Sequence, residues 1–227
     1  MDELKKIAHI ETDFETKFGV PRQSGLVKGL KGRIVFEPEY RNVEAFRGLE
    51  GFSHIWLLWD FSENPVAKGS KVRPPKLGGS VHRGIFATRS PFRPNNIGLS
   101  SVKLERIERD EKLGCVLVVS GVDMLDNTPI YDIKPYLPHI DIHSDATGGF
   151  AQEVAKTVPV EISDSITSEL PDNILASIKE LLAQDPRPAY EKNQTREYTV
   201  RYADYDISFF FDKKIIKVTK IIKLTDD

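Results

Sequence analysis

The sequence predicts a mainly β fold, with an N-terminal β-barrel over residues 1–146 and a small C-terminal α+β domain over residues 147–227. Three observations predict it. Short runs rich in β-branched and aromatic residues follow one another up to residue 133, separated by Gly, Pro, Asn or Asp. Helical periodicity is scarce among them, which is the pattern of a closed or nearly closed barrel. At Thr147-Gly148-Gly149 the pattern breaks and a different unit begins.

In chain order, strands are expected over residues 5–11, 32–36, 54–61, 84–88, 99–107, 115–122 and 130–133. One helix is expected over 38–49, where Val43, Phe46 and Leu49 recur every third residue between Pro38 and Gly51. The second unit opens with a helix over 166–183, ended by Pro186 and Pro188. Strands over 197–202, 207–211 and 215–224 follow, the last two flanking Asp212-Lys213 as a hairpin turn. Neither a repeat nor a low-complexity linker separates the two units, so they are expected to pack together.

Of the 227 residues, 40% are hydrophobic and 29% charged, enough for one large domain or two small ones. No apolar run approaches the roughly 18 residues that span a bilayer. The start Met1-Asp2-Glu3, then Lys5 and Lys6, lacks the apolar stretch of a signal peptide, so neither secretion nor a membrane is expected. Cys115 is the only cysteine and sits in the run Cys115-Val116-Leu117-Val118-Val119. It is expected to be a small buried apolar residue in a reducing, cytoplasmic compartment.

The net charge of -2 hides an uneven distribution. Between residues 64 and 104 lie eight basic residues, Lys68, Lys71, Arg73, Lys76, Arg83, Arg89, Arg93 and Lys103, and no Asp or Glu. The rest of the chain holds 24 Lys or Arg against 34 Asp or Glu. Such a tract either binds a polyanion through phosphate contacts, in an orientation imposed by the acidic remainder, or is a solvated loop.

No glycine-rich dinucleotide or Walker loop, no Cys-x-x-Cys pair and no Gly-x-Ser-x-Gly elbow occurs, so a doubly wound cofactor site is unsupported. His139, Asp141, His143 and Asp145 alternate as nitrogen and oxygen donors, but without a remote partner they read as a polar loop after Pro138, and no metal is expected. The run His54-Ile55-Trp56-Leu57-Leu58-Trp59-Asp60-Phe61 reads as a core strand whose polar end, Asp60, Ser62 and Glu63, can line a pocket. Residues 72–79 and 84–98 mix prolines, glycines and arginines. They form either a stiff ligand-holding loop or an irregular connection that prevents edge aggregation.

Six segments carry a resemblance: Pro21-Arg22-Gln23-Ser24-Gly25-Leu26-Val27, Arg47-Gly48-Leu49-Glu50-Gly51-Phe52-Ser53-His54, residues 72–79, residues 87–98, Asp132-Ile133-Lys134-Pro135-Tyr136, and Leu182-Ala183-Gln184-Asp185-Pro186-Arg187-Pro188-Ala189-Tyr190. Together they resemble the TsaA-like (YaeB-like) family, bacterial enzymes that methylate N6 of N6-threonylcarbamoyladenosine in tRNA. The resemblance implies a β-barrel site for S-adenosylmethionine and a homodimer, and the last segment implies the two-domain bacterial form. Carried over by position, it implies cofactor contacts at Gln23, Ser24, Gly25, Ser62, Glu63, Arg89, Leu99, Asp123, Met124, Leu125 and Asp126.

Methyl transfer to a carbamoylated amine needs the methyl about 3 Å from the nitrogen and a group that takes or shields the acidified proton. Asp132, Lys134 and Tyr136 are candidates for that role, or else form a structural turn with an internal ion pair. The substrate's threonyl carboxylate suits a guanidinium fork, from Arg93 or Arg73, while Lys71 and Lys76 would hold phosphates. Two other functions fit the same residues: a methyltransferase for another substrate, and a non-catalytic RNA-binding barrel. The latter is disfavoured because the basic tract offers only Phe86 and Phe92 for stacking.

Overall fold

The computed structural model describes residues 4–65, 69–74, 77–78, 80–152, 156–168, 170–188 and 196–224. Its strands in the first part are β1 (Ala8–Thr12), β2 (Lys31–Phe36), β3 (His54–Asp60), β4 (Lys71–Val72), β5 (Arg83–Gly84), β6 (Ile97–Asp110), β7 (Gly114–Ser120) and β8 (Thr128–Pro135). Six of them close into an antiparallel barrel in the order β1-β2-β7-β6-β3-β8, which leaves no open edge. Alternation makes the walls. On β3, Ile55, Leu57 and Trp59 are buried inside while His54, Trp56 and Leu58 face outward. Strand β7 is buried on both faces, as its unbroken apolar run requires, and the turn bearing Phe46 packs beside it.

Two expectations fail here. Residues 38–49 form no single helix but two 3-10 turns, Pro38–Tyr40 and Val43–Phe46, with a third at Leu49–Gly51. Arg41 holds the chain between them, donating from Nε to Phe36 O and from Nη1 to Lys112 O, and Asn42 Oδ1 accepts from Glu44 N. Gly48, at φ +87°, then turns the backbone into the left-handed region. Residues 84–88 are not a strand: only Arg83–Gly84 pairs, with β4, and Ile85–Ala87 is a 3-10 turn.

After β8 come α1 (Pro138–Asp141), β9 (Val160–Glu161), α2 (Asp164–Thr167), α3 (Asp172–Ala183), β10 (Tyr198–Tyr202), β11 (Tyr205–Asp212) and β12 (Ile215–Lys223). The expected helix is thus split before Pro171, which caps α3. The hairpin turn is Lys213-Lys214, one residue later than expected. Both its residues have positive φ, +46° and +79°, as a two-residue type I′ turn requires. The sheet order is β10-β11-β12-β9, and α3 contributes Ile178, Leu181 and Leu182 to the core.

Barrel and second sheet share one continuous hydrophobic cluster. The β1–β2 connection lies between them. Phe14 meets Tyr202 at 5.5 Å between ring centroids, Phe18 stacks on Tyr198 at 6.0 Å, and Ala203 N donates to Asp13 O at 3.1 Å. Among the described residues, no helix is long and apolar enough to cross a membrane.

Candidate active site

The antiparallel order brings three connections to one rim of the barrel. Strands β1, β3 and β7 end there and β2, β6 and β8 begin there, as the pairs Thr12 with Gly32, Asp60 with Ile97 and Lys31 with Ser120 show. Residues 13–30, 61–96 and 121–127 therefore converge, and they carry every expected cofactor residue except Leu99.

At the centre is the Asp123 carboxyl. It accepts from Ser100 Oγ at 2.7 Å, and that hydroxyl accepts from Trp59 Nε1 at 3.0 Å. Burial pushes Asp123 up from the ordinary 3.8 to about 6, against the opposing pull of Ser100, of the Ser24 and Asp123 backbone N–H groups and of the Arg89 charge. Arg89 Nη1 donates to Gln23 Oε1. Gly25 N donates to Gly121 O, and Gly121 N to Leu30 O. Gln23, Ser24, Gly25, Arg89 and Asp123 thus form one cluster.

Met124, Leu125 and Asp126 anchor the same loop. Met124 is buried and its carbonyl accepts from Thr12 Oγ1 at 3.1 Å; Asp126 Oδ1 accepts from Thr12 N at 2.9 Å. The half-buried Leu125 accepts at its carbonyl from Thr128 N. Across the rim, exposed Ser62 and Glu63 follow β3. Glu63 O accepts from Lys17 Nζ, and Asn96 Nδ2 donates to Asn64 O at 2.8 Å.

Leu99 stands apart. It is 56% exposed on the outer face of β6, opposite Leu58, whereas Ser100 points inward. Asp132 lies in the same outer row, opposite Leu58 on β8. Asp132 pairs with Lys134 at 2.9 Å, and the Tyr136 ring packs 5.6 Å from that of Trp56. Tyr136 N donates to His54 O, which puts Tyr136 at the end of β3 farthest from the loops. Within one chain this trio does not meet the Asp123 cluster.

On the basic tract, exposed Lys71 lies on β4 and Arg73 Nε donates to His82 Nε2 at 3.1 Å. Arg93 Nη1 is held by Ile85 O at 3.0 Å and Thr88 O at 2.8 Å. Lys76 lies outside the described residues, as do Lys68 and Tyr190. His139, Asp141, His143 and Asp145 gather no site: among the described residues no three or more His, Cys, Asp or Glu stand together as metal ligands.

Sequence reasoning missed Ser100 and Trp59, which read as core. The available signal was a hydroxyl at an inward position of β6, between Gly98 and Val102. It also missed Arg22 as a link to the second unit. Arg22 Nη2 donates to Arg187 O at 3.1 Å, and Arg187 in turn grips Asp185 at 2.7 and 2.8 Å while lying 3.5 Å over the Phe211 ring.

Comparison with known proteins places the whole chain in a family. Residues 9–142 match the family model of the tRNA-methyltransferase O N-terminal domain, and residues 155–224 match that of the TrmO C-terminal domain. The chain is 38% identical over 218 residues to the tRNA (adenine(37)-N6)-methyltransferase of Escherichia coli K12, covering 90% of this chain and 91% of that one. It is 40% identical over 219 residues to a putative S-adenosylmethionine-dependent methyltransferase, RcsF, of Pseudomonas aeruginosa, covering 92% and 93%. A crystal structure of TrmO from Pseudomonas aeruginosa superposes with a TM-score of 0.79 at 33% identity, over 98% of each chain. With both of its parts matched, the chain belongs to the tRNA-methyltransferase O family.

Proposed function

We propose that this chain methylates N6 of N6-threonylcarbamoyladenosine beside the anticodon of tRNA, using S-adenosylmethionine. One observation carries the reading: Gln23, Ser24, Gly25, Arg89 and Asp123 converge on the rim from which the basic tract also springs. The donor set suits the cofactor. A partly buried carboxylate at Asp123 can face its cationic end, and the Arg89 guanidinium, oriented by Gln23, can face its carboxylate. Asn96 Oδ1 is buried at the same rim with no hydrogen-bond donor among the described residues, so an acceptor is ready for a ligand N–H. When bound, the cofactor supplies an electrophilic methyl group on positively charged sulfur.

The chain's own residues then hold and orient. Asp123 keeps a negative charge against the cationic cofactor, and the Trp59–Ser100 chain fixes the direction of its carboxyl. Asp132, Lys134 and Tyr136 are our candidates for receiving the ureido proton or shielding the deprotonated nitrogen. Support comes from the acceptor and donor set side by side at 2.9 Å on an exposed face. We assign the reaction to a homodimer in which this outer face of one protomer approaches the rim of its partner; the exposed Leu99, Ile140 and Ile142 support a buried contact there. Arg73 is the better candidate for the threonyl carboxylate, since Arg93 Nη1 is engaged by its own loop, and Lys71 and Lys76 would hold phosphates. We place the domain boundary at residue 146, in the gap between the two family matches, and the enzyme in the cytoplasm, where the buried free thiol of Cys115 stays reduced.

The test is methyl incorporation from labelled S-adenosylmethionine into two tRNA transcripts that differ only in the threonylcarbamoyl group. Label in the modified RNA alone is the expected result. Equal label in both would remove the carboxylate from the recognition, and no label in either, with the cofactor bound, would remove the substrate.

A further inference from the structure

Phe86 is 82% exposed, more than any other large hydrophobic side chain among the described residues. It is not on a loose loop. Its neighbour Ile85 is buried, and Ile85 N donates to Ser70 O. Both the backbone N–H and the hydroxyl of Thr88 donate to Ile85 O, at 3.1 and 2.9 Å, and Arg93 Nη1 bonds Ile85 O and Thr88 O. The fold therefore fixes this 3-10 turn while leaving its largest apolar side chain in water, an unfavourable placement unless something covers the ring.

The surroundings define the occupant. The Arg93 guanidinium lies over the ring at 5.7 Å, and Lys71, Arg73, Arg83 and Arg89 are exposed on a stretch, 64–104, without a single carboxylate side chain. An exposed flat ring with a guanidinium beside it, on a stretch whose only charged side chains are basic, matches a nucleobase joined to phosphates better than it matches an apolar protein surface. Bases in a single-stranded RNA loop are free to stack on such a ring.

We propose that Phe86 is a stacking platform for a nucleobase of the anticodon loop flanking the methylated adenosine, with Arg93 bracing the ring. This rests on the proposed tRNA substrate. The probe is a fluorescein-labelled anticodon stem-loop, with affinity read by anisotropy on the full-length protein. Phe86→Leu removes the π-face and should weaken binding on the order of tenfold to a hundredfold. Phe86→Trp should bind within about threefold of wild type. The slope of log Kd against log salt should be the same in both variants, because no charge is removed. Cofactor affinity and Tm should not move.

Leucine binding RNA as well as phenylalanine would overturn the proposal while leaving the methyltransferase reading intact. So would equal losses in the leucine and tryptophan variants, a lowered Tm, or a shift in oligomeric state that accounts for the loss, which would make the ring a subunit contact. A wild-type chain with no affinity for the stem-loop would overturn both.

Discussion

The hydroxyl of Ser100 donates to the carboxyl of Asp123 across 2.7 Å, and the Trp59 indole N–H, donating to Ser100 Oγ at 3.0 Å, fixes which way that hydroxyl points. Ser100 is buried, so the barrel interior is wired to the loop that carries the candidate cofactor site.

Ser100→Ala should break both links. Trp59 Nε1 is left without its acceptor inside the barrel, which costs about 1–3 kcal/mol, and Asp123 loses a bond that favours its charged form. Thermal unfolding should show a lower Tm, and the pH at which cofactor binding is half-maximal should rise. An unchanged Tm would mean that the chain of bonds contributes nothing to the rim.

Asp123 gives a pH dependence whose sign is fixed. Its folded pKa, about 6, exceeds the ordinary 3.8, so the folded state binds the proton more tightly than the unfolded chain. Stability from this group is fully present below about pH 4, falls as the pH rises to about 6, and is level above it, a loss on the order of 3 kcal/mol. Asp123→Asn should abolish that component. Its Tm should exceed that of wild type at pH 7.5 and the gap should close at pH 4. Under the proposed contact between the Asp123 carboxylate and the cationic cofactor, affinity runs the other way: wild-type affinity should rise from pH 5 to pH 7, and the asparagine variant should bind weakly and without that rise. Calorimetric titration at three pH values distinguishes these outcomes.

Gly98 faces Trp59 across the β3–β6 pair, and a methyl group there would overlap the indole ring. The ring is buried and packs against Phe61 at 4.1 Å, so it has little room to retreat. Gly98→Ala should cost about 1–3 kcal/mol or more by overpacking. Because the displaced indole also holds Ser100, cofactor affinity should fall with it. A variant as stable as wild type, with unaltered tryptophan fluorescence, would rule out the tight contact.

The strand over 54–61 was legible from its apolar, aromatic run, but that run reads as apolar on both faces, whereas only Ile55, Leu57 and Trp59 are buried and His54 is exposed. Residues 38–49 were misread because a three-residue spacing also suits successive 3-10 turns, and what separates the two is the side-chain bonding of Arg41 and the backbone of Gly48. Residues 84–88 have strand composition, but Thr88 and Arg93 fold them into a turn through bonds that no local pattern announces. At the rim, Gln23, Ser24, Gly25, Arg89 and Asp123 were legible through family resemblance. Ser100 and Trp59 were not, since an inward hydroxyl and an inward indole look like core until the loop that reaches them is placed. The polar grouping of Asp132 and Lys134 follows from the period of two on the outer face of β8, with Tyr136 just past its end.

The second unit reaches the candidate cofactor loop through Arg22, one residue before Gln23. Its Nη2 donates to the carbonyl of Arg187, which is itself locked by the bidentate Asp185 pair and the Phe211 ring. Two substitutions separate support from folding. Arg22 is exposed, so Arg22→Ala should cost at most about 1 kcal/mol of stability, yet it frees the Gln23 loop and should raise the cofactor Kd about threefold to tenfold. Arg187 is nearly buried, with its side chain 10% exposed, whereas Asp185 is 32% exposed, so Arg187→Ala removes the cation over Phe211 and leaves a carboxylate that water still reaches, which should cost about 1–3 kcal/mol and destabilise the second sheet first. Hydrogen exchange across β10 to β12, measured beside cofactor titration, reads both effects. If Arg22→Ala leaves cofactor affinity unchanged, the second unit does not buttress the site, and the contact between 22 and 187 is only a seam between two independently stable parts.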